Sequence, residues 1–131
     1  MPNSVSSLAI FDLDNTLLAG DSDHAWGEFL CANGHVDAQQ HQRLNDQFYQ
    51  AYCDGNLDID AYLQFALSAI AGKTPAELSQ LHADFMQQFI QPMRLKKADA
   101  LLQQHRENGD FLLIVTATND FITAPIAQAL G

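Results

Sequence analysis

The chain has 131 residues, the usual size of one domain, and 47% of them are apolar, which excludes a disordered chain. Its 16 acids against 6 bases give a net charge of -10, which excludes a bare nucleic-acid binder, because such a protein needs a basic face to release counterions. No run approaches the roughly 18–20 apolar residues of a membrane span, and the leader MPNSVSS lacks a basic n-region, so the chain reads as cytoplasmic, with no membrane partner.

Residues 8–13, LAIFDL, form a short apolar run that predicts a buried parallel strand. NTLLAGDS then reads as a turn and an irregular connection. Ala25, Trp26, Phe29 and Leu30 follow helical spacing over 23–32, with Gly34 as the stop. Leu44, Phe48, Ala51 and Tyr52 make a second helical stripe over 38–53, and Asp54-Gly55-Asn56 breaks it. Asp58 caps a third helix, which runs to about Ala71 and stops at Gly72. Thr74-Pro75-Ala76-Glu77 is a capping box for a fourth helix, continuing through Phe89 and ended by Pro92. Another amphipathic helix covers 95–107, closed by Asn108-Gly109. FLLIV at 111–115 predicts a second buried strand, and Asn119 or Asp120 caps a last helix.

The fold class is α/β. The two strands lie about 100 residues apart and are expected to pair in parallel, with a helical module inserted in their crossover. This places a core at 1–20 and 92–131 and a helical cap at 21–91. A two-stranded parallel sheet is not a stable domain alone, so the core is expected to be incomplete. An exposed sheet edge would then invite self-association. Cys31 and Cys53 form no CxxC and read as reduced core or semi-core thiols.

The chemistry gathers where the first strand ends. Asp12 and Asp14 are two apart, and in extended backbone such residues share a face. Two carboxylates are thereby brought together at a carboxyl strand end, where open α/β sheets bind ligands. Two adjacent anions repel, and a hard ion such as Mg²⁺ or a shared proton resolves the conflict. The alternative is that both are turn or cap residues.

FDLDNTL resembles motif I, D-x-D-x-T, of the haloacid dehalogenase superfamily of phosphohydrolases, and IVTATND resembles its motif II. The run AGDSDHAW, the helical insert and the tail TATNDFITAPIAQALG are similar to the phosphoserine-phosphatase-like branch (type IB, helical C1 cap). The resemblance implies a Rossmannoid parallel sheet. It implies that Asp12 is a nucleophile forming an aspartyl-phosphate and Asp14 an acid/base. It further implies that Thr116 and the Ala117 N–H hold phosphoryl oxygens, and that Asp12 and the Asp14 main-chain carbonyl bind Mg²⁺. Thr16 is expected to stabilise the loop, and Asn119 to cap the last helix. The implied activity is Mg²⁺-dependent hydrolysis of a small phosphorylated metabolite. Phosphotransferase or phosphomutase chemistry on the same intermediate is the enzymatic rival. A non-catalytic interaction protein is the other.

The pattern departs from the family in one respect. The superfamily uses a basic residue and further aspartates after motif II, yet no Lys or Arg follows Arg106 and no Asp follows Asp120. The chain is therefore expected to be truncated and, by itself, nearly inactive. Lys96, Lys97 and Arg106 read as solvated helix-face charges. Among the histidines, His35, His41, His82 and His105 read as surface residues, while His24 could face a substrate entrance. Asp21 and Asp23 could meet a cationic group of a substrate or cap the first insert helix, and Arg43 could meet a carboxylate. The substrate is left open between phosphoserine, histidinol phosphate and other small monoesters.

Overall fold

A computed structural model describes residues 7–131; the leader reading and the first six residues of the expected core lie outside the described residues. Strand β1 (Leu8–Phe11) pairs in parallel with β2 (Phe111–Ile114), in the register Leu8–Phe111 to Phe11–Ile114. Between them run α1 (Ser22–Ala32), α2 (Ala38–Cys53), α3 (Ile59–Leu67), α4 (Pro75–Phe85), a short α5 (Gln91–Met93) and α6 (Lys96–Glu107). Helix α7 (Asp120–Leu130) follows β2.

Local chemistry sets the helix starts. Asp21, Asp37, Asp58, Thr74 and Asn119 each accept a main-chain N–H from the first turn of their helix, at 2.9–3.2 Å. Each such cap contributes on the order of 1 kcal/mol. At Thr74 the box closes both ways, since the Thr74 N–H donates to Glu77 Oε2 at 2.8 Å.

Two helix ends differ from expectation. Helix α3 stops at Leu67 and tightens into a 3₁₀ turn over Ser68–Ile70. Pro92 does not end the fourth helix. The backbone instead widens into a π turn over Met86–Ile90, where the Gln91 N–H reaches Met86 O, and helical backbone continues to Met93. A proline ring clashes with the carbonyl four residues back, and the wider turn accommodates it.

One apolar cluster joins the strands to the insert. It runs from Phe11, Leu13, Leu17 and Leu18 through Trp26, Phe29, Leu30, Phe85 and Ile90 to Leu102, Ile122 and Ile126. Trp26 lies at its centre, with ring centroids 5.1 Å from Phe85, 5.4 Å from Phe121 and 5.5 Å from Phe29. Helices α2 and α3, in contrast, contribute no fully buried residue. They pack on each other through Phe48, Tyr62, Phe65 and His41. The two ends of the helical stretch between the strands come together, where the Ala19 N–H donates to Met93 O at 2.8 Å and Leu18 bridges to Arg94.

Several surface expectations are corrected. His82 is buried, because its Nε2 meets Ile122 O at 3.2 Å and its ring lies among Trp26, Phe85 and Phe121. His105 is half-buried, with Nδ1 2.7 Å from Asp110 Oδ2. His41 is half-buried against Phe65, and burial lowers its pKa. Cys31 is half-buried, but Cys53 is exposed, so only the first is a semi-core thiol. Arg106 is no free helix-face charge, since its guanidinium donates to Leu130 O and to Gly131 O, the last carbonyls at the end of α7.

The sheet is covered on one face only. Ala9 and Phe11 point into the cluster, whereas Leu8, Ile10, Phe111, Leu113 and Val115 are 41–65% exposed. Contiguous apolar patches of this kind drive association. The 131-residue chain is expected to associate with itself as concentration rises, and Ile10→Lys to reduce this. Sedimentation velocity checks it, and a monomer at every concentration would refute it. Among the described residues, no helix is long and apolar enough to cross a membrane.

Candidate active site

The alternation of β1 continues past its last paired residue. Phe11 and Leu13 are buried, so Asp12 and Asp14 emerge on the other side, Asp12 exposed and Asp14 half-buried. The loop turns at once. Leu17 and Leu18 N–H both reach Leu13 O, at 3.0 and 3.1 Å, and Asn15 takes a φ of 57° while its N–H donates to Gly20 O. Left-handed backbone of this kind suits Asn better than most side chains.

Asp12 Oδ1 accepts the Leu13 N–H at 2.9 Å, and Asp12 Oδ2 accepts the Thr16 hydroxyl at 3.3 Å. Thr16 thus ties the nucleophile candidate to its own loop. Asp14 is held from two sides. Its Oδ1 accepts both the N–H and the hydroxyl of Ser22, at 2.7 and 2.6 Å, and its Oδ2 accepts the Thr118 hydroxyl at 2.9 Å. The Thr118 bond joins the two strand ends across 104 residues.

Beyond β2 the ladder extends by one bond, Val115 N–H to Phe11 O at 2.9 Å. The chain then turns through Thr116, Ala117 and Thr118. Thr116 Oγ1 accepts the Thr118 N–H at 3.2 Å, which leaves the Thr116 proton available to a ligand. Ala117 is exposed. Asn119 caps α7, and Asp120 is the first, exposed residue of that helix.

Of the two neighbouring acids, Asp21 caps α1. Asp23 is half-buried and accepts the Tyr62 hydroxyl from α3. Burial raises the Asp23 pKa most, the Tyr62 bond opposes that, and the Asp21 and Asp14 charges add to the rise. Tyr62 is pushed up in turn, by burial and by its bond to Asp23. His24 pairs with Glu28 at 2.8 Å on the outer face of α1. Arg43 lies on α2 beside Gln39, Gln42 and Asp46, in a broad depression. Neither that depression nor a second one along α3 is lined by Asp12, Asp14, Thr116 or Thr118.

Ser22, Thr118 and Tyr62 carry site contacts that sequence reasoning did not assign. Ser22 was detectable only as a small hydroxyl between two aspartates, and the partners of Thr118 and Tyr62 are distant in sequence.

The donor set fits Mg²⁺ in kind and falls short in number. Asp12 and the Asp14 carbonyl are hard oxygen ligands, suited to an ion that keeps several waters. Among the described residues, no group of three His, Cys, Asp or Glu side chains could hold a metal.

Known proteins supply the remaining context. The chain is 42% identical over 127 residues to a histidinol-phosphatase from Neisseria meningitidis, covering 97% of this chain and 57% of that protein. It is 29% identical over 133 residues to a phosphoserine phosphatase from Mycobacterium tuberculosis, covering 99% of this chain and 43% of the other. A crystal structure of a protein of unknown function from Bordetella pertussis Tohama I matches with a TM-score of 0.87 at 40% identity, over 98% of this chain and 58% of that one. The chain thus spans about half the length of the curated relatives it matches. Residues 9–131 match the haloacid dehalogenase-like hydrolases, and with the D-x-D-x-T loop on a parallel strand, the chain belongs to that family.

Proposed function

We propose that the protein containing this chain hydrolyses a small phosphate monoester through an aspartyl-phosphate on Asp12. The observation that carries this reading is the Thr118–Asp14 bond, which brings the end of β2 against the paired aspartates at the end of β1. The phosphatase names of two relatives support it.

In this mechanism an Asp12 oxygen attacks phosphorus, and the bond from phosphorus to the ester oxygen breaks. The leaving alkoxide takes a proton from Asp14. Water then attacks the aspartyl-phosphate and gives its proton to Asp14, which frees Asp12 and phosphate. The Thr116 hydroxyl and the Ala117 N–H donate to the transferring oxygens, where negative charge is spread in the transition state. Asp12 and the Asp14 carbonyl would hold Mg²⁺, which supplies positive charge against the phosphoryl group.

Histidinol phosphate and phosphoserine, the compounds in the relatives' names, are the first substrates to test. The two unpaired cysteines suit a reducing cytoplasm. Phosphate release by the full-length gene product is expected to fall to background in a chelator and to return with added Mg²⁺. Unchanged release in the chelator would refute the metal assignment, and no release from any monoester would refute the reading.

A further inference from the structure

Asp14 has two oxygens in unequal surroundings. Oδ1 accepts two hydrogen bonds, both from Ser22, while Oδ2 accepts one, from Thr118. A carboxylate oxygen offers about two lone-pair sites. Oδ1 is therefore saturated, and only Oδ2 has a site left for a transferable proton. Ser22 is itself fully buried and is the first residue of α1, where main-chain N–H groups have no partner within the helix. Its position is fixed from both sides. Asp21 caps the same turn, and Trp26, Phe29 and Leu30 anchor the helix in the core.

We infer that Ser22 is a positioning residue for the acid/base group, and that it assigns proton transfer to Asp14 Oδ2 by occupying Oδ1. This rests on the phosphatase reading. In the first step the Oδ2 proton passes to the ester oxygen as its bond to phosphorus breaks and the bond from Asp12 forms. In the second step the attacking water returns a proton to Oδ2. The plain alternative is that Ser22 is a buried hydroxyl that needed an acceptor, with no bearing on the chemistry.

The two are separated by the leaving group. A p-nitrophenolate leaves without protonation, whereas a primary alkoxide needs the acid. In the full-length gene product, Ser22→Ala is expected to lower kcat on a primary alkyl phosphate about tenfold or more and kcat on p-nitrophenyl phosphate by less than about threefold, a part of the effect typical of a general acid. Ser22→Cys, which keeps the buried volume and weakens the donor, gives the same comparison if the alanine variant does not fold. Asp14→Asn sets the limit of the same pattern. Equal losses on both esters, or no loss on either, would overturn the inference. Asp12→Asn is measured alongside. Activity surviving that change overturns the phosphatase reading itself, whatever Ser22 does.

Discussion

Asp12→Asn is expected to lower phosphate release by the full-length gene product by about a thousandfold or more, the loss typical of removing a nucleophile. The change in shape is small, although it also removes the acceptor of the Thr16 hydroxyl and a proposed Mg²⁺ ligand. Asparagine has nearly the same shape, and its carbonyl oxygen can still accept the Leu13 N–H. Asp12 is exposed, so no buried charge or cavity is created. Folding stability should therefore stay within about 0.5 kcal/mol of the parent, the usual range for surface changes. Steady-state kinetics with a thermal melt tests both halves. A variant that melts normally and still turns over at the parental rate would show that Asp12 is a loop residue.

The second expectation concerns the 131-residue polypeptide expressed alone. It should release phosphate about a hundredfold to a thousandfold more slowly than a version extended to the length of its relatives, comparable to losing a donor that stabilises the transition state. The six bases explain why. Arg94 pairs with Asp99 at 3.0 Å, and Arg106 is engaged at the end of α7. Lys96 and Lys97 are exposed at the start of α6, and Arg43 and Lys73 lie on the insert. Among the described residues, none of them forms a hydrogen bond or ion pair with Asp12 or Asp14. A dianionic phosphoryl group would meet two carboxylates with only a metal ion to offset them. Equal rates for the two polypeptides would show that a cation on this chain reaches the site after all.

Local signals carried most of the fold. Cap residues, glycine stops and the two branched apolar runs act over a few positions, and α1, α2, α4, α6, both strands and the Asn119 cap follow from them. Where long-range packing decides, the sequence was less informative. His82 looks polar in isolation, yet its ring meets a carbonyl 40 residues away inside an aromatic cluster. The π turn before Pro92 is a compromise between a proline and an apolar stripe that continues past it. At the site, Asp12 and Asp14 stood out because their spacing is itself the signal. Thr118 lay within the second motif without an assigned partner, because its bond to Asp14 exists only once β2 has paired with β1.

The single cluster shared by the strands and the helices between them sets how firmly each helix is held. Moving α1 and α4 out of the cluster would expose Trp26, Phe29 and Phe85, at roughly 1.5–3 kcal/mol per side chain. Lifting α2 and α3 together costs much less, because they bury no side chain fully. Their tie to α1 includes the Tyr62–Asp23 bond, one residue from Ser22. The least firmly packed part of the described chain is therefore the pair α2 and α3, which the Tyr62–Asp23 bond ties to α1.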